Sequence, residues 1–475
     1  MQRFDQVYIG GQFRMAHGRE ELELVNPTTE EPSGILVMAD AEDARRAVDS
    51  AQSAFAGWSR SSKKERIDLL YNLSEAVRAR ADGLTEATIL EYGGPIEQAK
   101  WRAGLAANNF LAAAKLLEDF AFSRWINDTE VVAQAAGVAV HIVPWNSVYN
   151  AISVKMAGAL AAGCPVVVKP SEFSAWQTRL FTECLHAAGA PAGLINVVAG
   201  RGDVVGEALT GHPAVRKISF TGSTRVGKTI MAKAAARMTR VTLELGGKAP
   251  TVVMEDADLE KAAATAMAAG FANNGQACIA GTRILVPRAR LKAFSEAVER
   301  AVATIVLGDP RDPRTTLGPL VNRRQFERVQ GYIRKGIEEG ARLVTGGEGR
   351  PEGRARGFFA RPTVFADVSN DMTIAREEIF GPVLCVIAYD DEDHAIEIAN
   401  DTEFGLHAYV VGEDVGRARA LAGRIDAGRV AINAVLHEPL APFGGFKESG
   451  IGREYGLYGI EDHLELKAIM GRSDP

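Results

Sequence analysis

The chain has 475 residues, more than one hydrophobic core usually serves, so we expect two or three domains. Hydrophobic residues make up 47% of the sequence and charged residues 24%, which is typical of a globular protein. The formal net charge of −6 excludes the basic surplus that a general nucleic-acid-binding protein carries. We therefore predict no nucleic-acid partner.

Three local features predict the compartment. The first residues carry early charges and no apolar stretch, so no secretory signal is predicted. The longest uncharged run near the middle, 156–168, is too short to span a bilayer and predicts a buried helix followed by a core strand. The cysteines are scattered and form no C-x-x-C pair: Cys164, Cys184, Cys278 and Cys385. We therefore predict a cytoplasmic protein without disulfides, bound metal or membrane association.

Helical and strand signals alternate along the chain, which is the pattern of α/β proteins. An apolar face from Ala44 to Phe55, preceded by a possible N-cap at Asp40, predicts a helix. Short apolar runs then predict strands, in chain order, at 137–143, 165–168, 194–198, 215–220, 251–254, 282–286 and 383–389. The Gly/Arg-rich segment 346–357 is predicted to be a surface loop. Two α/β domains follow from this pattern.

One glycine motif favours a different class of protein. Residues 222–229 match the G-x-x-x-x-G-K-[ST] pattern of a P-loop, after a predicted strand and before a predicted helix. Segment 251–256 could then supply the second, acidic nucleotide-binding strand. A P-loop nucleotide hydrolase is therefore one alternative, although a strand, a glycine turn and a helix N-terminus bind phosphate whichever nucleotide is held. The glycines of 200–206 are better explained as a tight turn.

Cys278 is the best candidate for a reactive thiol, because polar and flexible residues precede it at 273–276. A nucleophilic thiol also needs an oxyanion donor and a base. The amide of Asn146, at the end of a predicted strand, could be the donor. The carboxylate of Glu244, where a strand meets a double glycine, could be the base. Alternatively, Asn146 stabilises a turn, and Glu244 is a solvated or salt-bridged carboxylate. The spacing of Cys278, Asn146 and Glu244 in the sequence does not by itself bring their side chains together.

Seven motifs in order resemble the signature set of the aldehyde dehydrogenase superfamily, and they extend across nearly the whole chain. They are Pro144-Trp-Asn146, Lys169-Pro-Ser-Glu172, Phe220-Thr-Gly-Ser-Thr224 with Gly227, Glu244-Leu-Gly-Gly-Lys248, Gly275-Gln-Ala-Cys278, Glu377-Glu-Ile-Phe-Gly-Pro-Val383 and Pro442-Phe-Gly-Gly-Phe-Lys-Glu-Ser-Gly450. A chance match of all seven is very improbable, and the set also accounts for the P-loop pattern.

The resemblance implies a role for each matching residue. Cys278 is implied as the nucleophile, Asn146 as oxyanion donor, Glu244 as general base and Lys155 as a residue that orders the site. For the cofactor, Lys169 and Glu172 are implied to meet the adenosine ribose, Ser223 the pyrophosphate, and Glu378 the nicotinamide ribose beside Phe380. The remaining implied cofactor-binding residues are Trp145, Ser171, Gly222, Gly227, Leu245 and Gly246.

The resemblance also implies the fold and the assembly. Two Rossmann-like α/β domains are expected, cofactor-binding (1–116 and 136–246) and catalytic (247–448). A small β extension for oligomerisation is expected from 117–135 and 449–475, which implies a homodimer or a homotetramer. A catalytically silent scaffold of this fold is disfavoured, because Cys278, Asn146 and Glu244 are all present.

Two residues refine the implied reaction. Glu244 favours water as the acyl acceptor, so the product is expected to be a carboxylic acid rather than an acyl-CoA. Glu172 could accept hydrogen bonds from a ribose 2′-hydroxyl and would repel a 2′-phosphate, so NAD is expected in preference to NADP. The partner is expected to be a small-molecule aldehyde substrate.

The implied substrate tunnel departs from the usual family pattern, because Ser147-Val148 follows Pro-Trp-Asn where relatives carry Phe-Pro. A wider or more polar tunnel is one hypothesis; the other is that the aromatic ring has moved to Tyr149 and the volume is unchanged. The implied tunnel residues are Ser147, Asn150, Val154, Ile279, His437 and Phe443. His437 and Glu438 could read a polar group on the substrate, but solvated loop residues are the simpler interpretation.

Overall fold

The computed structural model describes residues 1–471. Its strands in chain order are β1 (Gln2–Phe4), β2 (Gln6–Ile9), β3 (Gln12–Met15), β4 (Glu21–Val25), β5 (Pro32–Val37), β6 (Ser123–Ile126), β7 (Thr129–Ala135), β8 (Val138–Ile142), β9 (Val166–Lys169), β10 (Ile195–Val197), β11 (Val215–Thr221), β12 (Arg240–Glu244), β13 (Pro250–Val253), β14 (Arg283–Pro287), β15 (Arg342–Thr345), β16 (Thr363–Ala366), β17 (Val383–Tyr389), β18 (Phe404–Gly405), β19 (His407–Val411), β20 (Arg429–Ile432), β21 (Phe446–Lys447), β22 (Gly450–Ile451) and β23 (Leu464–Met470).

The helices, in the same residues, are α1 (Ala41–Trp58), α2 (Lys63–Arg78), α3 (Ala81–Tyr92), α4 (Ile96–Asp119), α5 (Val148–Ala162), α6 (Ala175–Ala187), α7 (Glu207–Gly211), α8 (Thr224–Ala235), α9 (Leu259–Phe271), α10 (Leu291–Ala303), α11 (Arg323–Glu338), α12 (Thr373–Arg376), α13 (Glu392–Asn400), α14 (Val415–Ala422) and α15 (Gly456–Glu461). None of them is long and apolar enough to cross a membrane.

The first large sheet has the strand order β22-β12-β11-β8-β9-β10-β2-β3. Its five central strands are parallel and fully buried or nearly so, because helices cover both faces. The carboxyl ends of β8, β11 and β12 therefore lie at the same edge of this sheet. Strand β22 arrives from the far end of the chain and pairs antiparallel with β12, with Gly450 opposite Glu244.

The second large sheet has the order β15-β16-β17-β14-β13-β19-β20 and is parallel except for β15. A small antiparallel sheet, β23-β7-β6, joins the C-terminal strand to a hairpin that follows α4. The predicted α/β class with two large parallel sheets is confirmed. The end of the predicted oligomerisation segment, 472–475, lies outside the described residues, and the oligomerisation role remains a prediction.

Local sequence signals explain several boundaries. Asp40 caps α1 in a reciprocal capping box with Asp43, as the N-cap prediction required. The predicted strand 383–389 is reproduced residue for residue, and the other predicted strands lie within one or two residues of their observed limits. Segment 346–357 contains no helix or strand. Residues 202–206 form one wide helical turn rather than a phosphate loop.

The P-loop interpretation is wrong, and the helix register shows why. In a P-loop the glycine-rich segment wraps phosphate before the helix begins, and its Lys points at the phosphates. Here α8 already begins at Thr224, so Gly227 lies inside the helix, buried against Leu245. Lys228 lies on the surface and forms an ion pair with Glu448 at 2.6 Å.

Candidate active site

A cleft of about 790 Å³ lies between the carboxyl edge of the first sheet and the loop that precedes β14. A volume of this size is typical of cofactor and substrate pockets. Nine of the residues implied by the resemblance line it: Trp145, Asn146, Gly222, Ser223, Leu245, Gly246, Cys278, Glu378 and Phe380.

The loop that carries Cys278 is held by unusual backbone angles and by buried hydrogen bonds. Asn273 and Asn274 have φ of 55° and 58°, in the left-handed region that asparagine tolerates better than most residues. The Tyr92 hydroxyl donates to the Asn273 carbonyl at 2.7 Å, and Gln276 Nε2 donates to the same hydroxyl at 3.1 Å. The loop is thereby fixed to α3, so the position of Cys278 is set by residues outside its motif.

Gly275 provides a stability test of this loop. It has φ +71°, and a Cβ there would lie 2.4 Å from the backbone carbon of Gly381. Backbone cannot rotate away as a side chain could, so we expect Gly275→Ala to lower the free energy of unfolding by about 2–4 kcal/mol. Chemical denaturation measures this loss. Gly104→Ala is the control, because a Cβ there meets nothing within 4 Å; equal stability of the two variants would contradict the prediction.

Asn146 is fixed beside the Cys278 loop. Its Nδ2 donates to the Gln276 carbonyl at 2.9 Å, which occupies one of the two amide N–H groups. Arg102 Nη1 and Asn273 Nδ2 both donate to the Asn146 carbonyl, at 2.8 and 3.1 Å. The second N–H of a rigidly held amide thus remains to bind an oxygen in the cleft.

Glu244 ends β12 and is only 2% exposed. Neither carboxylate oxygen has a hydrogen-bond partner within residues 1–471. Burial raises the pKa of Glu244 well above its ordinary value, the Glu454 charge raises it further, and Lys155 opposes the rise. A buried carboxyl with a raised pKa and no partner is suited to accepting a proton from water.

Lys155 lies inside α5 and does not face the cleft. Its ammonium donates to Ser219 Oγ at 3.0 Å and forms a buried ion pair with Glu454. Glu454 Oε1 also accepts a hydrogen bond from Ser219. The charges of Lys155 and Glu454 act on Glu244 and shift its pKa in opposite directions.

The environment of Cys278 disfavours the thiolate. Burial raises the pKa of Cys278 to about 12, and the carboxylates of Glu378 and Glu244 add to the rise. Cys164, Cys184 and Cys385 are fully buried in apolar segments, whereas Cys278 is partly exposed. Of the four thiols, Cys278 is therefore the one that a ligand in the cleft can reach, and it becomes nucleophilic on losing its proton.

Glu378 lies on the other side of the cleft. Its Oε1 accepts the Gly247 N–H at 3.0 Å, and burial raises its pKa. A Cβ on Gly246 would lie 2.8 Å from Glu378 Oε2, so a side chain there would displace the carboxylate. Phe380, with φ 61°, meets the Trp145 ring edge-on at 5.4 Å.

The residues implied to bind the adenosine half lie at the ends of β9 and β11. Lys169 and Glu172 form an ion pair at 3.1 Å, and Ser171 Oγ accepts the Phe173 N–H. Ser223 is the N-cap of α8, and its side chain makes no capping hydrogen bond. The first N–H groups of α8 and a free hydroxyl suit an anionic group. Lys169, Ser171, Glu172 and Gly227 do not line the cleft itself.

The implied tunnel residues are dispersed. Ser147 is the N-cap of α5, and the Ile279 carbonyl accepts a hydrogen bond from the Tyr409 hydroxyl at 3.0 Å. Val154 borders a small cavity of about 20 Å³ together with Asn109 and Tyr455. Asn150 is buried with no partner for its amide among the described residues. The aromatic Tyr149 points into the core, where its hydroxyl lies 2.9 Å from Thr88 Oγ1.

His437 and Phe443 belong to one group of rings, the aromatic row: Trp101, His437, Tyr455 and Phe443. Neighbouring ring centroids lie 6.2, 5.2 and 5.9 Å apart. Trp101 is 57% exposed, so the row begins at the surface.

Several residues of the site have no sequence signal. Tyr92 and Arg102 support the Cys278 and Asn146 loops from α3 and α4. Phe173 and the start of α11 line the cleft. Arg328 Nη2 donates to the Glu378 carbonyl at 2.6 Å. None lies in a motif, and Tyr92, Arg102 and Arg328 are far from their partners in sequence, so only the fold reveals them.

Comparison with known proteins agrees with this geometry. The sequence profile described as "Aldehyde dehydrogenase family" matches residues 13–469. A putative aldehyde dehydrogenase of Staphylococcus haemolyticus is 44% identical over 474 residues, covering 99% of each chain. The chain therefore belongs to the aldehyde dehydrogenase family.

Solved structures extend the comparison to three dimensions. A variant of aldehyde dehydrogenase C from Pseudomonas syringae, in complex with NAD+ and octanal, is 45% identical with a TM-score of 0.97, over 98% of this chain and 96% of that one. An aldehyde dehydrogenase of Mycobacterium tuberculosis complexed with NAD+ is 38% identical with a TM-score of 0.95, over 99% of this chain and 98% of that one.

Proposed function

We propose that this protein oxidises an aldehyde to a carboxylic acid with NAD, through a thioester on Cys278 that water hydrolyses with Glu244 as general base. The observation that carries the proposal is that Cys278, Asn146 and Glu378 line one cleft, while the buried carboxylate of Glu244 is close enough to Cys278 to act on it through charge. A thiol, an oxyanion donor and a base are the parts that acyl chemistry on sulfur needs.

In the first step the thiol proton of Cys278 passes to solvent water, and Sγ adds to the aldehyde carbon. The carbonyl oxygen becomes an oxyanion, which the free N–H of Asn146 and the backbone N–H of Cys278 stabilise. When bound, NAD supplies the acceptor for the hydride that leaves this carbon. Loss of the hydride restores the carbonyl and leaves the acyl group on Sγ as a thioester.

In the second step Glu244 takes a proton from water, whose oxygen attacks the thioester carbon. The C–S bond breaks, the acid departs, and Sγ recovers a proton from Glu244, which returns the base to its carboxylate form. Lys155 and Glu454 influence this step through their charges, because Lys155 lowers the pKa of Glu244 and Glu454 raises it. Because burial raises the Glu244 pKa, the unprotonated base is lost as pH falls through that raised value.

The cofactor would lie along the carboxyl edge of the first sheet. Ser223, Gly222 and the start of α8 suit the pyrophosphate, because the glycine admits close approach and the helix N–H groups are free. Glu378, with Phe380 and Trp145 beside it, would hold the nicotinamide half in the cleft; Leu245 and Gly246 would form its floor.

Lys169, Ser171 and Glu172 would hold the adenosine ribose, and Gly227 would let α8 pack closely on Leu245. The Glu172 carboxylate, oriented by Lys169, would accept ribose hydroxyls and repel a 2′-phosphate. NAD is therefore the preferred cofactor over NADP. The NAD+ complexes of two related proteins support the use of NAD.

The measurement that tests the function is the appearance of reduced nicotinamide absorbance with a panel of aldehydes, from propanal to octanal and including polar ones. We expect turnover with NAD exceeding turnover with NADP. Octanal is included because a related enzyme was crystallised with it. Undiminished NAD binding with no turnover on any aldehyde would instead indicate a catalytically silent scaffold.

We also propose that the chain forms a homodimer or homotetramer through the small sheet. Leu466 and Met470 on β23 are 70% and 82% exposed, and Trp125 on β6 is 54% exposed. Next to this sheet lies an apolar groove of about 1280 Å³. Exposed apolar surface on this scale is typical of protein interfaces.

Leu466→Asp tests this assembly, because it would bury an unpaired charge in the interface. We expect a loss of mass by light scattering at micromolar concentration, from the oligomer to the single chain. Met238→Asp is the control, since Met238 is 89% exposed and lies outside the small sheet. A wild-type protein that is already monomeric would refute the proposal.

A further inference from the structure

Two buried side chains from neighbouring helices meet beside the segments that carry the reacting groups. Tyr92 is the last residue of α3, and Arg102 lies in the first half of α4. The guanidinium carbon of Arg102 lies 5.3 Å from the centre of the Tyr92 ring, which is a cation–π distance. We call these two residues the Tyr92–Arg102 pair.

Arg102 binds the segment that carries the oxyanion donor. Its Nη1 donates to the Asn146 carbonyl at 2.8 Å, and no carboxylate within residues 1–471 forms an ion pair with it. A buried guanidinium without an acidic partner is costly to the folded state. Stability alone therefore does not explain why an arginine occupies this position.

Tyr92 binds the loop that carries the nucleophile. Its hydroxyl donates to the Asn273 carbonyl at 2.7 Å and accepts a hydrogen bond from Gln276 Nε2 at 3.1 Å. Both ends of the turn that precedes Cys278 are therefore bonded to one oxygen atom. Because Cys278 is only two residues beyond Gln276, this oxygen limits where the sulfur can lie.

The contacts of Tyr92 and of Arg102 are connected to each other. Asn273 Nδ2 donates to the Asn146 carbonyl at 3.1 Å and to the Gln276 carbonyl at 3.0 Å. The Asn146 side chain donates to the same Gln276 carbonyl at 2.9 Å. The chain of contacts from Arg102 through Asn146 and Asn273 to Tyr92 is closed by the cation–π contact. A shift of either segment therefore strains the other.

We propose that the Tyr92–Arg102 pair is a positioning device that sets the separation between the Asn146 amide and the Cys278 sulfur. This inference rests on the proposed function, in which that amide stabilises the oxyanion formed when the sulfur attacks. Neither residue of the pair lines the cleft, so the pair acts through the two segments that it holds. An oxyanion donor acts only at hydrogen-bond distance from the developing charge, so a small displacement of either segment weakens it.

Acylation by p-nitrophenyl acetate tests the proposal without cofactor or hydride transfer. The Cys278 thiol gives its proton to water, Sγ adds to the ester carbonyl, and the resulting oxyanion collapses with release of p-nitrophenolate, which leaves a thioester. Alkylation of the same thiol by iodoacetamide displaces iodide and forms no oxyanion. The ratio of the two rate constants therefore measures the oxyanion donor separately from the reactivity of the thiol.

Arg102→Met removes the donor to the Asn146 carbonyl and keeps a side chain of similar length. We expect acylation to slow about thirtyfold, while alkylation changes by less than about threefold. The bond to Asn146 uses a single N–H, so the ammonium of Arg102→Lys can replace it. We expect this conservative variant to acylate within about threefold of the wild type.

Tyr92→Phe removes the hydroxyl, keeps the ring and is expected to slow acylation about tenfold. The double variant Arg102→Met/Tyr92→Phe shows whether the pair acts as one unit. Either substitution opens the same closed chain of contacts, so we expect the double variant to acylate at most about threefold more slowly than Arg102→Met alone. Independent effects would multiply. Tyr92→Phe and Arg102→Lys keep the test decisive if Arg102→Met does not fold.

Arg66→Met and Tyr389→Phe are the matched controls. Arg66 is a buried arginine that donates to the Ala161 carbonyl at 3.1 Å, and the buried Tyr389 hydroxyl donates to the Val253 carbonyl at 2.7 Å. Neither residue lines the cleft. We expect both variants to keep the wild-type ratio of acylation to alkylation, whatever stability they lose.

The outcomes separate this inference from the proposed function. A wild-type ratio in Arg102→Met and Tyr92→Phe, or multiplied effects in the double variant, overturns the positioning role. A fall in the ratio for Arg102→Met with recovery in Arg102→Lys supports it. That result supports it even where the wild type oxidises no aldehyde, in which case the proposed function alone fails.

Discussion

Cys278→Ala is expected to reduce aldehyde-dependent reduction of NAD by at least about a thousandfold. The sulfur forms the bond that carries the acyl group, and alanine offers no replacement. Loss of one small side chain at a partly exposed position leaves the fold intact, so NAD binding, followed by fluorescence quenching, is expected to persist. Steady-state absorbance measures the loss of turnover.

Cys184→Ala is the matched control for this substitution. Cys184 is buried in α6, and its Sγ donates to the Leu180 carbonyl, away from the cleft. We expect this variant to retain full turnover. Wild-type activity is further expected to rise with pH across the neutral range, because burial raises the pKa of Cys278 to about 12 and the thiolate grows as pH approaches it. Retained turnover in Cys278→Ala would exclude the thioester.

Glu244→Gln is expected to separate the two halves of the reaction. The thioester still forms, so one equivalent of reduced cofactor appears in a burst. Hydrolysis then stalls, because the amide accepts no proton from water, and steady-state turnover falls by about a hundredfold or more. Rapid mixing with absorbance detection resolves the burst from the slow phase.

Rescue identifies the missing step. Hydroxylamine attacks a thioester without a general base, so we expect its addition after the burst, once free aldehyde has been removed, to release the acyl group from Glu244→Gln as a hydroxamic acid and to release little from the wild type. The acid limb of the wild-type kcat profile is expected above the ordinary range of a glutamate, since burial raises the Glu244 pKa. A Glu244→Gln variant without a burst would assign the residue to the first half of the reaction.

The sequence predicts most of the architecture because its signals are local. Asp40 can cap α1 with no help from distant residues, and the continuous apolar run 383–389 has the length and composition of a buried strand. The motif residues Cys278 and Asn146 are likewise recognised from their neighbours. Their meeting at one cleft depends on two sheets that neither motif describes.

The supporting residues could not be predicted for the same physical reason. Tyr92 reaches Asn273 across 181 residues of chain, and Arg102 reaches Asn146 from α4. The P-loop pattern predicts a site that the fold does not form. Its residue types match, but α8 begins three residues too early for a phosphate-binding loop.

The pairing of β22 with β12 has a consequence for synthesis of the chain. The strand that ends in Glu244 stays an open edge until Gly450 and Ile451 have been translated, more than 200 residues later. The N-terminal half therefore exposes unpaired amides and carbonyls while the following roughly 200 residues are translated, which makes it prone to wrong pairing. The first sheet is completed only when the C-terminal part of the chain has been synthesised. We therefore expect folding of this protein in the cell to depend on chaperones.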